Sequence, residues 1–262
     1  MNTPDDHYFE MNRIGWDRRA SVHFESRFYD VEGFMAGATS LRDIELGQLK
    51  EVAGKRLLHL QCHFGLDTLS WARKGAVCTG VDISPVAIDK ARELAARTGL
   101  GADFVCSDVY GFGAGGAQAF DIVFTSYGAL CWLPDLARWA QVVASHLAVG
   151  GLFYMVEFHP LRDLLAGQPY FGSAAPDIEE EATYTDNGAG AVAQLATWSH
   201  PLSSVINALV GAGIRIERVD EFAYSPYDCF EGMVEREPGR FYMDHQGHDV
   251  PMVYSITGRR LA

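Results

Sequence analysis

RLLHLQCHFGLDTLSWARKGAVCTGVDISPVAIDKARELAART, residues 56–98, decides the fold. A short apolar run at 56–60 enters a turn at 61–65, and a helical stretch follows, closed by Gly75. The chain then returns to a β-branched run, 76–82, that ends on Asp82. Ser84 and Pro85 supply a helix N-cap and a proline at the first helical position. Val86, Ile88, Ala91, Leu94 and Ala95 then recur at helical spacing until Gly99. Strand, helix, strand and helix in this order make a βαβ unit.

The same alternation continues downstream. Residues 102–108 read as a third strand, a Gly/Ala loop follows, and 120–126 read as a fourth. An amphipathic helix at 136–147 leads to Gly150-Gly151, which break into a fifth strand at 152–158. The rhythm lapses over 160–199, where EEEATYTDNGAGA reads as an exposed insertion, and resumes with a helix at 202–213 and strands at 214–222 and 250–260. Upstream, 1–50 read as helical and aromatic-rich (Tyr8, Phe9, Trp16, Phe24, Phe28, Tyr29, Phe34), with Ser40 starting a helix before LRDIELGQLKEV. The expectation is an α/β fold with a doubly wound, mostly parallel sheet. The 262 residues form one domain: a helical cap (1–50), a core (51–159), the insertion (160–199) and the remainder of the sheet (200–262).

A formal net charge of −13 argues against nucleic acid as partner, since that binding rests on Lys and Arg neutralising phosphates. The five cysteines form no C-x-x-C pair, so neither a zinc site nor a disulfide framework is indicated. Asp244, His245, His248 and Asp249 read as a polar turn, and no metal is expected. No apolar stretch approaches the ~20 residues of a membrane span, and the N-terminus carries no apolar leader. The expected location is the cytoplasm. The oligomeric state is left open between monomer and homodimer.

Ligands of open parallel sheets bind beyond the carboxyl ends of the strands. That rule nominates the turn from Gln61 to Asp67, Asp82 after the second strand, Asp108 after the third, and Ser126-Tyr127 after the fourth. An acid 17 residues beyond Gly65 suits a pair of ribose hydroxyls, through charge-assisted bonds.

These segments resemble the core of class I S-adenosylmethionine (SAM)-dependent methyltransferases over about residues 54–159. LLHLQCHFG (57–65) is similar to the family's first motif, GVDISPVAIDKAR (80–92) to its acidic second-strand signature, and CSDVY (106–110) to its adenine-side motif. The long segment 120–160, with its Gly-Gly, resembles the fourth strand, helix and fifth strand. The resemblance implies a seven-stranded sheet whose last strand is antiparallel, with SAM as co-substrate. It implies ribose binding by Asp82, adenine packing on Ile83, an adenine amino contact at Asp108 and a backbone donor at Val109. The backbone of Gln61, Cys62, His63 and Gly65 would run along the methionine part. The chain departs from the family at His59, where an acid is usual, and at Gln61 and His63, where glycines are usual. Asp67 is then the candidate for the methionine ammonium.

On the acceptor side, Tyr127 follows the fourth strand, where the sulfonium should sit. Glu157 and His159 alternate at the end of the fifth strand and so share a face, which makes them a candidate base and orienter. The expected activity is methyl transfer to the oxygen or nitrogen of a small-molecule acceptor. Two alternatives share some of these features. One is a methyltransferase-like protein that binds without catalysis. The other is a nicotinamide-dependent oxidoreductase, which would need a glycine-rich pyrophosphate turn that 61–65 lack.

Overall fold

The computed structural model describes residues 4–113 and 119–262. The Gly/Ala loop expected before the fourth strand lies partly at 114–118, outside the described residues. In chain order the helices and strands are α1 (Pro4–Phe24), α2 (Val31–Met35), α3 (Asp43–Gln48), β1 (Arg56–Leu60), α4 (Leu66–Arg73), β2 (Val77–Asp82), α5 (Pro85–Thr98), β3 (Ala102–Cys106), α6 (Val109–Gly113), β4 (Phe120–Ser126) and α7 (Leu136–His146). They continue with β5 (Leu147–Phe158), α8 (Leu161–Leu165), β6 (Asp177–Glu181), β7 (Ala193–Thr197), α9 (Leu202–Gly211), β8 (Ile214–Phe222), β9 (Val234–Glu237), β10 (Arg240–Tyr242), β11 (Asp244–His245), β12 (His248–Asp249) and β13 (Val253–Arg260).

Seven strands form one sheet in the order β3-β2-β1-β4-β5-β13-β8. The first five run parallel, and β13 runs antiparallel to both β5 and β8, as the sequence led us to expect. Strand order reverses between β1 and β4, so a crevice opens at their carboxyl ends. Because side chains alternate across the sheet, Leu58, Val123, Phe153 and Met155 pack with α6, α7 and α9. Leu57, Phe124, Tyr154 and Val156 pack on the other face with α3 and α4, and α5 packs beside α4 through Ile88, Ala91 and Leu94.

The local signals around α5 act as read. Ser84 Oγ accepts from Ala87 N at 3.0 Å, Pro85 opens the helix, and Gly99 closes it at φ 66°. Three expectations need correction. Ser40 does not cap a helix spanning 41–52: α3 covers only Asp43–Gln48, and Ser40 turns instead toward Asp67. Gly150-Gly151 do not precede β5 but lie within it, as a bulge between the Phe120–Leu147 and Ile122–Leu152 pairings. The 160–199 segment is exposed only in part. β6 and β7 form an antiparallel hairpin, and β7 buries Leu195 and Ala196 against α1. Asn12 fixes that contact, donating to Ala196 O and accepting from Ala196 N, both at 2.8 Å. The Asp244–Asp249 segment is a two-residue-turn hairpin whose Gln246 and Gly247 both have positive φ.

Candidate active site

The turn after β1 keeps a glycine-type backbone without the glycines. Gln61 and His63 sit at φ 58° and 52°, a region costly for residues with a Cβ, and Gly65 follows at 79°. Surrounding bonds hold the two strained residues. Gln61 Nε2 donates to Ala129 O at 2.7 Å, and His63 N donates to Asp82 Oδ2 at 2.8 Å. At Gly65 a Cβ would meet the Phe104 ring at 2.6 Å, so this position also needs glycine for space.

Asp82 is buried at the tip of β2 and also accepts from Ser84 N at 2.9 Å. Burial raises its carboxyl to about 6, against the lowering pull of the Ser84 and His63 amides. Asp108 stands half-buried after β3, accepting from Gly111 N at 2.8 Å. Asp82, Ile83, Asp108 and Val109 line one limb of the cleft, roofed by Phe9 and Trp16 of α1.

At Ser126 and Tyr127 this limb meets a second, a cavity of about 810 Å³. Asp67 lies where the two join. It accepts from Ser40 Oγ at 2.6 Å and from Ser126 Oγ at 3.0 Å. His59, beneath, bonds Thr68 Oγ1 through Nδ1 at 2.9 Å and approaches Ser126 Oγ through Nε2 at 3.3 Å. Burial drives the His59 imidazole down to about 4, so it is neutral at pH 7. Cys62 packs its buried sulfur toward Gly80, where a Cβ would come within 2.8 Å. Tyr127 borders both limbs and donates to Glu45 Oε2 at 2.9 Å.

Above the cavity lies an aromatic roof. The His63 ring touches Trp16, His23 and Tyr29 at centroid distances of 5.1–5.3 Å, and Tyr29 shares a hydroxyl hydrogen bond with Tyr184 from the 160–199 segment. Phe28 and Phe34 also line it, whereas Phe24 packs on Phe64 and Tyr8 on Trp198. Among the residues that line this space, several buried polar atoms have no partner among the described residues: Gln61 Oε1, His63 Nε2 and the Nε atoms of Arg19, Arg42 and Arg162.

Residues 57–151 match the family model described as "Methyltransferase domain". The chain is 28% identical over 209 residues to a protein named ubiquinone biosynthesis O-methyltransferase from Xanthomonas axonopodis pv. citri, covering 77% of this chain and 81% of that one. This chain carries a methyltransferase domain. The solved structures share its fold. A SAM-dependent methyltransferase from Mesorhizobium loti superposes with a TM-score of 0.56 at 24% identity, over 86% of this chain and all of that one. The [4+2]-cyclase SpnF superposes at 0.61 with 18% identity, over 95% of each chain, so this fold by itself does not dictate the reaction.

The geometry of this methyltransferase moves two of the expected catalytic residues away from the cleft. Glu157 and His159 do share a face of β5, but it is the Met155 face, packed beneath α7 and α9. The cavity opens on the other face, where Phe158 lines it. Glu157 is fully engaged as a brace, accepting from the amides of Gly128, Ala129 (2.8 Å), Leu130 (3.0 Å) and Phe158 (2.7 Å). His159 accepts from Leu161 N at Nδ1, so Nε2 carries the proton and donates to Glu221 at 2.8 Å. Parity along the strand was readable, but which face carried the cavity was not. The residues missed altogether are Glu45, Tyr184 and the three arginines, which come from segments without a motif.

Proposed function

We propose that this methyltransferase transfers the methyl group of SAM to a hydroxyl oxygen of a small-molecule acceptor held in the 810 Å³ cavity, and that it works in the cytoplasm. The observation that carries the reading is the junction of the two limbs at Ser126-Tyr127, which puts the groove lined by Asp82 and Asp108 end to end with a ring-lined chamber. The name of the Xanthomonas relative supports oxygen as the accepting atom. The charge of −13 supports a small molecule over nucleic acid, and no described helix is long and apolar enough to cross a membrane.

The residues present fit SAM. Asp82 takes the ribose hydroxyls, Ile83 packs on adenine, Asp108 accepts from its amino group, and Val109 offers a backbone donor. Gln61, Cys62, His63 and Gly65 line the chamber where the methionine part would run. Asp67 and Arg42 act on one another electrostatically and offer a carboxylate and a guanidinium to the methionine ammonium and carboxylate. Ser126 and His59 hold Asp67 in place. When bound, SAM supplies an electrophilic methyl on a sulfonium.

The protein's contribution is to hold the acceptor in line and keep water out. Tyr127 positions the acceptor rather than taking its proton. Burial, and the neighbouring Glu45 after it, push its hydroxyl well above the ordinary range. The reading is tested by calorimetry, which should give one-to-one binding of SAM and S-adenosylhomocysteine, and by a screen of hydroxylated metabolites with methyl-labelled SAM. Label found only on nitrogen or sulfur acceptors would reject it.

A further inference from the structure

Asp67 is the accessible end of a polar network that is otherwise packed into the protein. It lies in the first turn of α4, half-buried, and lines the larger cavity. Its anchors sit behind it: His59 of β1 is 2% exposed, and Thr68 and Ser70 of α4 are 0% and 1% exposed. Ser126 ends β4, and Ser40 comes from the segment before α3. Side chains from two strands, a helix and a loop thus converge where the two limbs meet.

The direction of each bond follows from the number of protons available. A carboxylate only accepts, so Ser40 gives its hydroxyl proton to Asp67 Oδ1 at 2.6 Å and Ser126 gives its own to Oδ2 at 3.0 Å. Ser126 Oγ then has no proton left for His59 Nε2, 3.3 Å away, and can only accept from it. Nε2 therefore carries the imidazole hydrogen. Burial lowers the His59 ring to about 4, so it is neutral at pH 7, and a neutral imidazole has one N–H. Nδ1 is thus bare and accepts from Thr68 Oγ1 at 2.9 Å. On the other side, Ser70 Oγ accepts from Ser40 N at 3.1 Å and donates to Ser40 Oγ at 3.0 Å. Two arms result, Thr68 to His59 to Ser126 and Ser70 to Ser40, and in both every donor runs toward Asp67.

A carboxylate has about four lone-pair sites, so the two hydroxyls aim Asp67 and leave sites for a ligand. The opposite His59 tautomer would turn a lone pair toward Ser126, draw the serine proton to the imidazole and remove one of the two bonds that fix the carboxylate. We propose that His59 is a positioning residue for the methyl donor: as the Nε2–H tautomer it commits the Ser126 hydroxyl to Asp67, and so presets this carboxylate for the donor's ammonium group. This rests on the methyl-transfer reading above and specifies how that site holds SAM. A carboxylate ordered in advance binds more tightly because it need not be ordered by the ligand.

Nitrogen NMR of the wild type with isotope-labelled histidine tests the first half, and should show Nε2 protonated and Nδ1 bare at His59. The opposite tautomer, or a charged ring at pH 7, would overturn the proposal without any mutation. Calorimetry tests the second half by comparing S-adenosylhomocysteine with its deaminated analogue, which lacks only the ammonium. The wild type should favour the former by about tenfold or more. His59→Leu and Ser126→Ala should each cut that ratio to about threefold or less, with the analogue's own affinity held within about twofold. The double variant should be no worse than either single, since both break the same arm. His59→Gln, whose amide nitrogen stands in for Nε2–H, should keep most of the ratio. Equal losses for the two ligands, or a His59→Gln protein as poor as His59→Leu, would overturn the proposal. Should His59→Leu not fold, Ser126→Ala and the tautomer decide. A wild type that binds the two ligands equally defeats this inference alone, and one that binds neither defeats the methyl-transfer reading with it.

Discussion

The Tyr127 hydroxyl donates to the buried Glu45 carboxyl group at 2.9 Å, tying the end of β4 to α3 beside the acceptor chamber. Burial, with the nearby Asp67 adding to it, pushes Glu45 up to about 8 from its ordinary 4.5. Between those values the folded protein holds a proton that the unfolded chain has released. Stability from this group is therefore complete below about pH 4.5 and is lost as pH rises toward 8, with a slope approaching ~1.4 kcal/mol per pH unit. Urea denaturation of the wild type and Glu45→Gln at pH 6 and pH 8.5 measures it. The variant should gain on the wild type at the higher pH, and parallel curves would show that Glu45 is ionised throughout.

Asp82→Ala should weaken SAM binding by about 2–4 kcal/mol, because two ribose hydroxyls lose a charged acceptor and His63 N loses the bond that fixes the strained turn. Asp108→Ala should cost less, since it faces one adenine contact. Calorimetry on both variants, each first shown to fold by circular dichroism, gives the comparison. Equal losses, or none, would mean that the groove is read the wrong way round.

Glu157→Ala leaves buried amides of the 128–130 turn without an acceptor, and we expect a loss of about 3 kcal/mol or more in stability. Glu157→Gln, which keeps an acceptor oxygen, should recover part of it. His159→Ala should lower the melting temperature and spare turnover. A His159→Ala protein of normal stability and turnover reduced ~100-fold would restore the histidine as a base.

Asn12→Ala removes two of the bonds that fasten the roof hairpin to α1, those to the buried Ala196 amide and carbonyl, and leaves the Arg19–Glu181 pair in place. A destabilisation of about 2–4 kcal/mol is expected, with faster tryptic cutting at Arg162 than in the wild type. Unchanged cutting would show that the hairpin is held elsewhere.

The parts of this molecule that were legible in its sequence are those whose causes are local. Ser84, Pro85 and Gly99 delimit α5 because capping is a matter of a few neighbouring atoms. Asp82 and Asp108 were found by their place after strands. Gln61 and His63, by contrast, read as a damaged turn, yet they keep the left-handed backbone of the glycines they replace. What supports them is the Asp82 carboxylate and the Ala129 carbonyl, 19 and 68 residues away. The lining of the larger cavity is less visible still, because Arg19 and Arg162 reach it only after the fold has brought α1 and α8 to the same opening. No spacing rule along the chain encodes that meeting.

The family match, 57–151, stops short of the roof: α1, the α2 region and the β6–β7 hairpin all lie outside it. The central strands that carry the nucleoside groove thus lie inside the shared domain, and most of the cover over the acceptor chamber lies outside it. For the engineer, a library over 177–197 must spare Tyr184, and one on α1 must spare Phe9 and Trp16, because these three residues line the nucleoside limb as well.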